Sequence, residues 1–182
     1  MNAVRRLAVA IFWRGRAWYE LLVARTESLR RLGAVPARRV LVICHGNIYR
    51  SAFVEHYLRS LVGSEIEIRS GGFHPVGGRS SPDRHVEYSR SYGVDLSNHR
   101  SSTLRTEDLE WADLLVLMDR KNWVRLTQMG ADPEKLIWLG ALAPGSVEIQ
   151  DPYEMDDAAL CALIKKLQVR TRQLATLLKA AR

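Results

Sequence analysis

Hydrophobic residues along this chain recur with two different periods, and the switching between them lays out a fold. Four short apolar or alternating runs, at residues 39–43, 66–70, 114–118 and 136–139, read as strands. Between and after them the spacing widens to three and four. Val54, Leu58, Leu61 and Val62 predict a helix behind the first run, and Pro82 is suited to open a second that reaches about residue 92, where Gly93 ends it. Thr106-Glu-Asp-Leu-Glu has the acidic character of a helix N-terminus, and residues 119–129 form a further helix. Leu160, Leu163, Ile164, Leu167, Leu174 and Leu178 give the last helix one core-facing stripe. Strands alternating with helices predict an α/β fold, a four-stranded parallel sheet with helices on both faces.

The first 37 residues stand outside this rhythm. They carry Trp13, Trp18, Tyr19, Leu21, Leu22, Leu29 and Leu32 among many arginines, and Gly33 and Pro36 separate them from the first strand. The expected organisation is therefore a basic N-terminal helical extension, 1–37, and a domain over 38–182. A helix packed on the domain or on a second copy is favoured over peripheral membrane contact through residues 1–36, because Gly15 and Arg25 interrupt the apolar face.

Charge sharpens this division. The chain of 182 residues has a formal charge of +7, yet residues 1–40 hold nine Arg against Glu20 and Glu27, so the whole excess lies there. The remainder is neutral, and the basic segment has no nucleic-acid motif, which argues against a nucleic-acid partner. The apolar run at 7–13 is too short to span a membrane and lacks a cleavage pattern. With only Cys44 and Cys161 there is no disulfide framework, which suits a reducing cytoplasm.

The chemistry concentrates where the first strand runs out: Cys44-His45-Gly46-Asn47-Ile48-Tyr49-Arg50-Ser51. Five residues between Cys and Arg are enough to wrap backbone N–H groups around one anion, and Gly46 and Asn47 tolerate the backbone conformations such a nest needs. A helix starting near Arg50 adds the positive end of its dipole, a field that suits a thiolate nucleophile. Arg50 offers a planar fork to two phosphate oxygens, and Ser51 can donate to the sulfur. Alone, Cys44 would read as a small buried hydrophobe ending a core strand. The spaced Arg, the Gly-Asn pair and the strand-loop-helix context together point to an anion site. Such a nucleophile needs an acid for the leaving oxygen, and Asp151-Pro152-Tyr153 can supply one, with Pro152 stiffening the loop and Tyr153 as an aromatic wall. Taken by itself, that tripeptide is only a turn.

Over roughly residues 38–180 the sequence resembles the low-molecular-weight protein tyrosine phosphatase family. Cys44-x-Gly46-Asn47-x-x-Arg50-Ser51 is similar to the family's nucleophile loop, Asp151-Pro152-Tyr153 to its general-acid loop, and Ser70-Gly-Gly-Phe73 stands where the family has Ser-Ala-Gly-Thr. The segments 93–100 and 112–122 are also similar. The resemblance implies a flavodoxin-like winding and a metal-independent, cofactor-free phosphatase with a phosphocysteine intermediate. In it Cys44 attacks phosphorus, Arg50 binds the phosphoryl group together with residues 45–51, and Asp151 is general acid and then base. Asn47, Ser51 and His99 would support the loop, although His99 by its own chemistry reads as an exposed loop residue. The implied partner is a phosphotyrosine protein such as a bacterial tyrosine kinase. Three departures stand out: Tyr49 where the family often has a second Cys, Ala52 for a common Pro, and a segment 73–79 without the usual ring-flanking Trp or Tyr, leaving Phe73 or His74 for the substrate wall. Two other activities use related architecture. A thiol-linked arsenate reductase would need a resolving thiol, for which only Cys161 is present, and a non-catalytic phosphate-binding module would not need Cys44, Arg50 and Asp151 together.

Overall fold

The computed structural model describes residues 3–34 and 36–181; within the first 18 residues it describes the side chains of 9, 11, 12, 15, 16 and 18. Trp13 of the N-terminal segment therefore lies outside the described side chains. The elements in chain order are α1 (Ala3–Ala34), β1 (Arg39–Cys44), α2 (Arg50–Leu61), β2 (Glu67–Gly72), α3 (Asp83–Arg90), α4 (Thr106–Trp111), β3 (Leu114–Leu117), α5 (Arg120–Gln128), β4 (Leu136–Trp138) and α6 (Asp157–Ala180).

The four strands form one sheet in the order β2-β1-β3-β4, every pair parallel. This is the flavodoxin-like winding, in which strand order reverses between β1 and β3 and a crevice opens beyond their C-terminal ends. Side chains of a strand alternate between faces, and here that alternation sorts the core in two. Val40, Val42, Cys44, Val116 and Ile137 pack with α2 and α6, whereas Leu41, Ile43, Leu115, Leu117, Leu136 and Trp138 pack with α4 and α5. Burial on both faces explains why these strands read as continuous apolar runs. The stripe of α6 is buried along its length, from Leu160 to Leu178.

β2 runs two residues past its apolar run, to Gly72, because β1 supplies a pairing partner as far as Cys44. Pro82 sits just before α3 rather than inside it, and Gly93 adopts φ 77°, the left-handed conformation that ends the turn after the helix.

β4 is an edge strand, and α1 covers it. Trp138 N donates to Ser28 Oγ at 3.0 Å, and Arg31 Nη1 donates to Leu136 O at 2.9 Å and to Glu20 at 3.2 Å. Arg25 extends the seal to the carbonyls of Ala141 and Ala143. Side chains thus satisfy polar groups of the edge that a further strand would otherwise pair. Closer to the N-terminus, Ile11, Phe12, Trp18, Tyr19 and Leu22 are exposed. Trp18 still lies under the Arg120 guanidinium, 4.5 Å from ring to charge. No helix among the described residues is long and apolar enough to cross a membrane.

Candidate active site

The loop between β1 and α2 opens at the reversal point of the sheet. Its shape is set from outside, carbonyl by carbonyl. His45 O accepts from His74 N at 3.0 Å, Gly46 O from Arg79 Nη2 at 2.5 Å, Asn47 O from His99 Nε2 at 2.8 Å, and Tyr49 O from His85 Nε2 at 3.2 Å. The loop's peptides are trans, so a carbonyl tied outward turns the following N–H inward. Asn47 N shows this directly, donating to Cys44 Sγ at 3.2 Å. The result is a nest of amides above a buried thiol, with the α2 N-terminus facing the same point.

Asn47 carries the sharpest bend. It is the non-glycine residue with positive φ among those described, at 52°, a region Asn tolerates better than most. Its amide donates to Ser51 Oγ at 2.9 Å and Ser70 Oγ at 2.6 Å, while its Oδ1 accepts from Ser102 N at 2.7 Å. Both amide hydrogens are then used, which assigns the hydroxyl protons: Ser70 donates onward to Glu55, and Ser51 is free to donate to Cys44 Sγ at 3.0 Å. The chain of hydrogen bonds therefore ends on a donor aimed at the sulfur. Gly72 makes this closeness feasible, since a Cβ there would stand 2.8 Å from both Asn47 N and His45 O.

Arg50 is fully buried and held from three sides. Nη1 donates to Asp119 at 2.6 Å and to Ile149 O at 2.8 Å; Nη2 donates to Asp151 at 2.5 Å. Burial works against its charge, but Cys44, Asp151 and Asp119 outweigh that and raise its pKa above the ordinary value. Its Nε, also buried, has no partner among the described residues, an expensive state for a donor in the interior. A tetrahedral oxyanion over Cys44 is the group that would satisfy it.

The cleft above the loop has a volume of about 880 Å³ and is lined by Cys44, His45, Gly46, Ile48, Tyr49 and Arg50, with Asp151 and Tyr153 across from them. Its rim is basic, with Arg79, Arg120, Lys121 and Arg125. Asp151 is partly exposed and Tyr153 largely so. His45 is held below the usual imidazole pKa by burial, with Arg125, His74 and Arg50 acting in the same direction and Asp151 opposing them.

Of the residues singled out by sequence, loop residues 44–46 and 48–50, Asp151, Tyr153 and His74 meet at this cleft. Asn47 and Ser51 stand behind its wall and shape it. His99 is buried and bonded to Asn47 O, not exposed as its own chemistry suggested. Phe73 is a correction: it packs into the core below the sheet with Arg125 over its ring, and it does not line the cleft, which leaves His74 there. The structure adds residues that sequence reasoning passed over. Asp119 caps α5 through Asn122 N at 2.8 Å and also holds Arg50, a role foreshadowed only by an Asp at a strand end. Arg79, His85 and Gly72 act on the loop from distant segments, and no local signal marks them.

A doubly wound parallel α/β sheet with a thiol and a nest of amides at its reversal point is the architecture on which cysteine-loop phosphatases are built. The chain belongs to the family described as low molecular weight phosphotyrosine protein phosphatase, whose model matches residues 39–182, and it is an enzyme of that hydrolase class. Among named relatives it is 30% identical over 122 residues to the low molecular weight protein-tyrosine-phosphatase Ptp of Acinetobacter johnsonii, covering 66% of this chain and 84% of that one. The solved structure of the tyrosine phosphatase Wzb from Escherichia coli K30 with sulphate superposes with a TM-score of 0.71 at 26% identity, over 77% of this chain and 97% of that one. An arginine phosphatase, YwlE of Geobacillus stearothermophilus, shares the fold with a TM-score of 0.71 at 22% identity, over 79% and 94% of the two chains.

Proposed function

We propose that the chain hydrolyses phosphotyrosine in proteins through a phosphocysteine on Cys44. The observation that carries this is the pairing of the Cys44 sulfur, surrounded by inward amides and the Ser51 hydroxyl, with the unpartnered buried Nε of Arg50. In the first step Sγ attacks phosphorus, the P–S bond forms as the P–O(aryl) bond breaks, and Asp151 gives its proton to the departing oxygen. In the second, Asp151 takes a proton from water, whose oxygen attacks phosphorus while the P–S bond breaks and the thiolate returns. Negative charge on the phosphoryl oxygens is met by Arg50, the loop amides and the α2 N-terminus, so this chain needs no metal for it. Their bonds to the loop support a holding role for Asn47, Ser51 and His99.

Tyr153 and His74 flank the cleft and would form the walls for the substrate ring. Their openness suits an aromatic ester presented on a protein surface, and the basic rim suits an acidic or multiply phosphorylated segment such as that of a bacterial tyrosine kinase. Cys161 does not line the cleft, which counts against a thiol relay of the arsenate reductase kind. For residues 1–37 we favour the reading of a helical extension whose sealing part belongs to the domain it covers and whose outer apolar side chains meet a second copy of the chain, with a cytoplasmic site for the whole.

The decisive test is turnover of an aryl phosphate and of phosphotyrosyl and phosphoarginyl peptides without added metal. The phosphotyrosyl peptide should be preferred, and Cys44→Ser should abolish all turnover; full activity in that variant refutes the mechanism. Asp151→Asn should slow substrates with poor leaving groups by about 100-fold or more and spare activated ones. Equal losses on both would remove Asp151 from the acid role.

A further inference from the structure

Behind the loop stands a second group of side chains, none of which lines the cleft: Glu55 and His56 on α2, and His99 in the segment before α4. His99 and Glu55 both serve the loop, through Asn47 O and through Ser70. His56 contributes to neither bond. It faces His99 instead, with Nε2 3.3 Å from His99 Nδ1 and the rings edge to face at 71°.

The tautomer of His99 follows from its other partner. A backbone carbonyl only accepts, so Nε2 carries the hydrogen toward Asn47 O, and in the neutral ring Nδ1 presents its lone pair to His56. An imidazole that donates one nitrogen to a carbonyl while offering the other is the arrangement found in metal-bound histidines. Two imidazole nitrogens at about 2.0–2.1 Å from a tetrahedral zinc ion stand about 3.3–3.4 Å apart. The observed separation matches that span, and a Glu55 oxygen lies with them inside a sphere where all ligand atoms are within 4.8 Å of one another. Glu55 also bonds Arg59 at 2.6 Å and accepts from Ser70, yet a carboxylate has about four lone-pair sites and keeps room for an ion.

We propose that Glu55, His56 and His99 bind a divalent transition ion of the zinc type, with two imidazole nitrogens, one carboxylate oxygen and a solvent oxygen as its four ligands. Two nitrogens and one oxygen suit zinc over magnesium or calcium, which take oxygen sets. On binding, the hydrogen shared between His56 Nε2 and His99 Nδ1 leaves, either to His56 Nδ1 or to solvent. The ion cross-links α2 to the segment carrying His99, and through His99 and Ser70 it braces Asn47.

The test uses the full chain as its Cys44→Ser variant, which removes the cleft cysteine as a competing zinc ligand, after treatment with a chelator. Zinc titrated against a chromophoric chelator should bind with one equivalent, and cobalt in its place should give a tetrahedral visible spectrum without a thiolate charge-transfer band. Adding His56→Ala should weaken zinc binding by more than about 100-fold, beyond the cost of losing an outer-shell partner. His56→Gln, which keeps a donor toward His99 without an imidazole, should show the same loss and serves if the alanine variant is poorly folded. Absence of stoichiometric zinc, equal affinity with and without His56, or a thiolate band in the cobalt spectrum would each overturn the proposal.

Discussion

The histidine that holds the end of the β1–α2 loop should make the protein sensitive to mild acid. His85 on α3 is fully buried, packs against the Tyr49 ring with centroids 5.0 Å apart, and donates Nε2–H to Tyr49 O. Its Nδ1 is buried without a partner among the described residues, so a proton added there would be a donor with nothing to meet it. Burial accordingly lowers its pKa from 6.5 to about 4, with the Tyr49 carbonyl opposing. Above pH 6.5 the ring is neutral in folded and unfolded chains alike, and the full stability is present. As pH falls the unfolded chain takes up the proton first, and stability is lost until the folded chain titrates as well. At about 1.4 kcal/mol per pH unit the gap corresponds to about 3 kcal/mol in full, most of it gone by about pH 4.5. His45 and His56 are also lowered, mainly by burial, and add losses of the same sign. The difference between wild type and His85→Gln therefore isolates the effect. Urea unfolding of both at about pH 7.5 and 4.5 should show the wild-type value falling about 2.5 kcal/mol further than the variant's. Parallel losses, agreeing within about 0.5 kcal/mol, would refute the reasoning.

Two further outcomes follow from the packing. Gly72→Ala should force the loop away from its amide nest and reduce kcat/KM by about 100-fold at a stability cost of about 1–3 kcal/mol; near-normal kinetics would show that the loop yields freely. Arg31→Ala leaves the largely enclosed Glu20 without its closest cation beside the open β4 edge, so urea unfolding should register a loss of about 2–3 kcal/mol, and size-exclusion chromatography should reveal association through that edge. A loss below about 1 kcal/mol with an unchanged elution would mean that α1 does not seal the strand.

Much of this protein is legible before folding. β1, β3 and β4 announce themselves because both faces are buried, β2 because exposed Glu67 and Arg69 alternate with buried residues, and α6 because its leucines share one face; the β1–α2 loop is readable because nearly all the groups of its amide nest come from eight consecutive residues. Asp151 stands out in the sequence through its Asp-Pro-Tyr resemblance and as the partner such a nucleophile requires, not by its own local chemistry. What the linear chain could not show is whatever acts across it. Phe73 and His74 are neighbours, and only packing sends the first into the core beneath Arg125 and the second to the cleft. Asp119 meets Arg50 because β1 and β3 lie side by side, and His85, His99 and Arg79 reach three carbonyls of one loop from segments more than thirty residues away. Local sequence encodes which groups are present and which backbone shapes are cheap. Tertiary structure alone decides which buried donors find acceptors, and here that choice both aims the amides at Cys44 and leaves Arg50 Nε open for an oxyanion.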